Sequence, residues 1–145
     1  MNRVLIVYFD NCCYGRLFDI NAQTNVKAET AKIRRIIRNR FSGKYIIIGS
    51  LTVIYEIRQM RDARKRGARE RLYNRVITGN VRPTAQIFTR AAELESKGLK
   101  TMDARHLASA EAARVDYLLT VDLEFINKCS KPNFTTVKVI NPIDF

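Results

Sequence analysis

Val4-Leu5-Ile6-Val7-Tyr8-Phe9 is a continuous apolar run rich in β-branched side chains, and it stops abruptly at Asp10-Asn11. A strand with one wet face alternates apolar and polar residues, whereas this run has no polar face to offer. It reads as a strand covered on both sides, the environment of a parallel sheet in an α/β fold. The same pattern recurs at 45–48, 117–121 and 137–140, giving four predicted strands.

Helical patterns stand between them. Residues 23–41 carry Val26, Ile33, Ile36, Ile37 and Phe41 on one stripe, with Lys27, Arg34, Arg35 and Arg38 off it. That spacing predicts an amphipathic helix with a basic outer face. Ser50 is placed to cap a second helix carrying Val53, Glu56, Ile57 and Met60 on one face. A third is expected after Gly67, with Leu72, Val76 and Ile77, ending near Gly79-Asn80. Further helices are predicted over 84–97, 101–113 and 123–128, and the stretch around Gly15 reads as a polar loop. Alternating helices and short apolar strands predict a mostly parallel sheet covered on both sides. At 145 residues, the chain is expected to form one domain over 1–145.

Several classes are excluded. The longest apolar run is far short of the ~20 residues that span a bilayer, so no membrane association is expected. That run follows a single Arg3 and lacks a signal-peptide cleavage pattern. Cys12, Cys13 and Cys129 make a poor disulfide framework and fit a reducing cytoplasm. With one histidine, the chain cannot build a His-pair metal site. A thiol mechanism at Cys12 or Cys13 would need His106 as its base, and buried packing suits these small side chains better.

Lys and Arg number 26 against 14 Asp and Glu, a formal net charge of +12. Residues 27–44 hold seven basic side chains and one acidic, and residues 58–75 hold eight and two. These windows carry the whole excess, which points to a polyanionic partner. Arg34, Arg35, Arg38, Arg61, Lys65 and Arg69 are the candidate nucleic-acid contacts. Solvated helix faces, a groove for a peptide or an acidic neighbouring subunit are the competing readings of the same charge.

Asp10 and Asp122 end predicted parallel strands, at the sheet edge where open α/β folds bind ligands. Glu56 lies on an apolar helix face with no Lys or Arg at i±3 or i±4, so its partner must come from elsewhere in the fold. Asp103 opens another helix. Each acid also has a structural reading: a cap for the strand-end aspartates, a helix-dipole residue for Asp103, an arginine partner for Glu56. Converging carboxylates repel by roughly 4 kcal/mol per pair at ~4 Å and an effective dielectric of ~20. Protonation or a divalent cation relieves this, and oxygen donors without Cys or His favour Mg²⁺ or Mn²⁺ over Zn²⁺.

The segments VYFDNCCY, SLTVIYEI, KTMDARHLASAEAARVDYLLTVD and VKVINPIDF together resemble the PIN-domain family, and within it the VapC-type toxin ribonucleases. The third is the most specific, joining the helix of Asp103 to the strand that ends on Asp122. The Asp10-Asn11-Cys12-Cys13 sequence departs from the Asp-Thr or Asp-Ser of many members and resembles a distinct subgroup. The resemblance implies a Rossmann-like α/β/α sandwich and a Mg²⁺- or Mn²⁺-dependent endoribonuclease, the toxin of a type II toxin–antitoxin module. Its acid positions fall on Asp10, Glu56, Asp103 and Asp122, as metal ligands and catalytic groups, with Glu56 able to hold the attacking water. Asn11 and Thr120 match its supporting polar positions. The implied partners are RNA, an antitoxin protein and a second copy of the chain. The alternative is a non-catalytic PIN-like module that binds RNA or a protein. An Asp-x-Asp phosphatase would need a second acid where Cys12 stands.

Overall fold

The computed structural model describes residues 3–20 and 23–145. Five strands form one sheet: β1 (Leu5–Phe9), β2 (Tyr45–Ser50), β3 (Gly79–Val81), β4 (Tyr117–Leu119) and β5 (Lys138–Ile140). All pairings are parallel and the order is β3-β2-β1-β4-β5. Seven helices flank them among the described residues: α1 (Asn11–Arg16), α2 (Thr24–Phe41), α3 (Leu51–Arg58), α4 (Ala63–Val76), α5 (Ala85–Ser96), α6 (Thr101–Ala112) and α7 (Leu123–Cys129). The expected α/β architecture with a covered parallel sheet is therefore present.

The strand order places the topological switch at β1. The chain moves outward from β1 through β2 to β3, then crosses back to β4 and β5 on the other side of β1. Strands diverge at such a switch, and the crevice beyond their carboxyl ends is the natural ligand site. Val7, Tyr8 and Phe9 are fully buried, as the apolar run predicts. The alanine-rich α6 packs on α5, with Ala104, Leu107 and Ala110 excluded from water.

Three elements depart from the expectations. The segment with Gly15 is not a loop but α1, six residues long, held by burial of Cys13 and Tyr14. The third helix begins before Gly67 and contains it. Asp62 caps α4, its Oδ1 accepting from the backbone N–H of Arg64 and Lys65 at 3.0 Å each. Gly79-Asn80 does not end that helix but opens β3, a fifth strand that pairs with Ile48–Ser50. Its sequence has little strand propensity; the pairing is supported by Tyr73 Oη, which donates to Asn80 Oδ1 at 2.6 Å.

Glu29, the one acid in the first basic window, is buried. Arg16 Nε and Asn141 Nδ2 donate to its two oxygens at 3.0 and 2.6 Å. This pair ties α2 to the end of α1 and to the segment after β5.

Candidate active site

Asp10 follows β1 directly, and its backbone N–H still donates to Leu119 O at 3.0 Å. The ladder therefore fixes the Cα at the switch point, and the side chain is nearly buried. Thr120 Oγ1 donates to Asp10 Oδ2 at 2.8 Å and accepts from the backbone N–H of Asp122 at 3.1 Å. One buried hydroxyl thus joins the acid after β1 to the backbone of the acid after β4. Cys12 Sγ lies 3.5 Å from both Asp10 Oδ2 and Thr120 Oγ1. Cys13 is buried with its Sγ on Leu119 O, so neither thiol is set up as a nucleophile.

Glu56 comes from α3 and Asp103 from the first turn of α6. Burial, followed by the charges of Asp10 and Asp122, pushes the Asp103 carboxyl up to about 6. His106 and Lys100 oppose that rise. Asp122 is also a helix cap: its Oδ1 accepts from the backbone N–H of Glu124 and Phe125 at 3.0 and 3.3 Å. The structural and the site reading of this residue therefore coexist.

The partner of Glu56 is His106, not an arginine. His106 Nε2 is hydrogen-bonded to Glu56 Oε1 and lies 3.5 Å from Asp10 Oδ1. On its other side, Nδ1 meets Tyr8 Oη at 2.6 Å, and that hydroxyl meets Ser50 Oγ at 2.6 Å. Ser50 Oγ in turn accepts from Val53 N–H, capping α3 as expected. Burial works against a charge on His106, but the hydrogen bond to Glu56 and the carboxylates of Asp10, Glu56 and Asp103 outweigh it, and its pKa rises. Burial holds the Tyr8 hydroxyl well above its ordinary range, so it stays protonated. Asp10, Glu56 and His106 form the closest group of potential ligands, with one donor atom of each within 4.8 Å of the others. Asp103 and Asp122 stand outside this group and act on the site electrostatically. His106 and Tyr8, neither of them among the candidate site residues of the sequence, are both buried, and both belong to the network.

No protein-family model matches the chain, and no curated protein matches it. Solved structures do. VapC20 of Mycobacterium tuberculosis, a Sarcin-Ricin loop cleaving toxin, aligns over 91% of this chain and 98% of its own, with 16% identity and a TM-score of 0.61. VapBC2 of Rickettsia felis, solved bound to a DNA fragment from its promoter, aligns over 93% of this chain and 98% of its own, with 12% identity and a TM-score of 0.60. This chain has the PIN-domain fold of the VapC toxins.

The VapC-like fold separates the two basic windows. Arg34, Arg35 and Arg38 are exposed on the second half of α2, a helix about 27 Å long. The end of α2 leads into Tyr45, the first residue of β2, through a bond from Lys44 N–H to Asn39 O. These arginines therefore approach the sheet edge opposite the carboxylates. Lys65 and Arg69, on the first half of α4, line a groove together with Cys12, beside Asp10, and Arg61 is exposed just before that helix. Arg69 Nη1 donates to Asn11 Oδ1 at 3.3 Å. Of the candidate nucleic-acid contacts, Lys65 and Arg69 share a groove with Cys12, whose Sγ is 3.5 Å from Asp10, and the α2 trio lies apart from it.

Proposed function

We propose that this chain is a metal-dependent endoribonuclease that hydrolyses RNA phosphodiester bonds, acting as the toxin of a type II toxin–antitoxin module. The observation that supports the reading is the close approach of Asp10 and Glu56, with His106, to within 4.8 Å at the carboxyl edge of a VapC-like sheet, with Asp103 and Asp122 outside that group. Burial and the charges of Asp10 and Asp122 raise the pKa of Asp103. The close group offers two carboxylates and one imidazole; the oxygen donors suit Mg²⁺ or Mn²⁺, and His106, already hydrogen-bonded to Glu56, would orient that carboxylate. Asp10 and Glu56 would hold the cation, with Asp103 and Asp122 adding negative charge around it. The chemistry it supplies when bound is Lewis-acid stabilisation of negative charge on the reacting phosphate.

The protein's own groups do the rest. Glu56, hydrogen-bonded to His106, would take a proton from an attacking water. Thr120 fixes the rotamer of Asp10, and Asn11 fixes Arg69. VapC20 is a Sarcin-Ricin loop cleaving toxin, and VapBC2 was solved bound to a DNA fragment from its promoter. By the same reading, this chain takes RNA as substrate and an antitoxin protein as partner. Asp103→Asn tests the assignment in a gel assay of RNA cleavage with Mg²⁺. Cleavage is expected to be lost while RNA binding persists, since the cations that bind RNA lie elsewhere. Equal cleavage by the variant and the wild type would overturn it.

A further inference from the structure

The groove between α1 and α4 has a volume of about 1110 Å³ and reaches Cys12, whose Sγ is 3.5 Å from Asp10 Oδ2. Arg69 forms its inner wall. The guanidinium rests against Gly15: a Cβ there would lie 2.6 Å from Nη2 and 2.9 Å from Cζ. Asn11 Oδ1 takes one N–H of Nη1, while Nε is buried without a partner. No carboxylate pairs with Arg69 among the described residues. Arg16, on the same groove, differs, being committed to Glu29 and Asp19. A half-buried planar cation with an unpartnered Nε is costly to the folded chain, and its fork of donors matches a phosphate. Arg64 and Lys65 line the groove in the first turn of α4, also without a carboxylate partner among the described residues.

We propose that Arg69, seated by Gly15 and Asn11, is the residue that positions the reacting phosphate against the carboxylates, with Arg64 and Lys65 holding flanking phosphates. This rests on the ribonuclease reading above. Gly15 is then a specificity-determining position, because any side chain there drives the guanidinium out of its seat. The two roles differ in their kinetic signature: a flanking contact adds affinity, whereas a positioning contact acts mainly on kcat.

The test compares wild type with Arg69→Ala, Arg69→Lys, Gly15→Ala and Lys65→Ala. It reads kcat and KM for RNA cleavage with Mg²⁺, and RNA binding in EDTA. Lys44→Ala, at the opposite edge of the sheet, controls for loss of one charge. Arg69→Ala is expected to lower kcat by about 100-fold, the scale of a misplaced reacting group, with RNA binding close to wild type. Arg69→Lys keeps the charge and the stem, so it folds and binds but does not restore kcat. Gly15→Ala reproduces the loss, and the Gly15→Ala/Arg69→Ala double variant is no worse than either. Lys65→Ala weakens binding more than it lowers kcat. A full kcat for Arg69→Ala or Arg69→Lys in an active enzyme overturns this inference alone, as do additive losses in the double variant. A wild type that does not cleave RNA overturns the ribonuclease reading instead.

Discussion

Asp103 bears the clearest electrostatic strain among the single residues of the site. Its folded pKa of about 6 lies above its ordinary carboxylate value, so the folded protein holds that proton more tightly than the unfolded chain does. The stabilising contribution is complete below the unfolded pKa and is lost as pH rises through about 6. In EDTA, Asp103→Asn should therefore melt above wild type at pH 7 to 8. The advantage should shrink as pH is lowered from 6 toward 4, where the wild-type carboxyl is protonated. A variant that melts below wild type at pH 7 would mean that Asp103 is held by favourable contacts. The isolated Glu56 was legible as a residue needing a distant partner. The identity of that partner was not, because His106 lies 50 residues away and its one-turn spacing from Asp103 fits a packed helix equally well. Nothing in the local sequence tells that Tyr8, in the middle of an apolar strand, turns its hydroxyl to a histidine and a serine.

Among the elements, those read correctly are the ones whose own residues dictate them. The β-branched runs of β1 and β2 and the capped, amphipathic α3 and α5 need little help from their neighbours. α1 and β3 depend on tertiary contacts and were missed for that reason. A six-residue helix is unstable alone and forms here because Cys13 and Tyr14 are buried. β3 has three residues, two of them Gly and Asn, and exists by pairing with the end of β2. Tyr73 supports that edge: its hydroxyl meets Ser50 O at 3.1 Å as well as Asn80 Oδ1. It passes so close to Gly49 that a Cβ would lie 2.1 Å from the hydroxyl oxygen. Gly49→Ala should cost about 1–3 kcal/mol by overpacking. Tyr73→Phe should cost a similar amount, about 1–3 kcal/mol, by removing the donor to the buried Ser50 carbonyl. Urea unfolding reads both, and unchanged midpoints would show that β3 is held by something else.

For the whole molecule, the apolar runs announce a parallel sheet and so locate the functional edge before any strand is placed. They do not announce the strand order, which depends on which crossover returns where. That order, with β1 between β2 and β4, is what sets Asp10 beside Thr120 and Asp122. Charge behaves similarly. The sequence separates a basic excess from a balanced remainder, but only the fold distinguishes Lys65 and Arg69, in the groove that reaches Cys12, from the arginines of α2 at the other end of the sheet. No helix among the described residues is long and apolar enough to cross a membrane. The central claim is that the acids at this edge work through a divalent cation, and a Mg²⁺ titration into chelator-treated protein, read as RNA cleavage, tests it most directly. Cleavage should rise from background with added Mg²⁺ and stay at background in Asp10→Asn. Undiminished cleavage in EDTA, or Asp10→Asn cleaving as wild type does, would contradict the account.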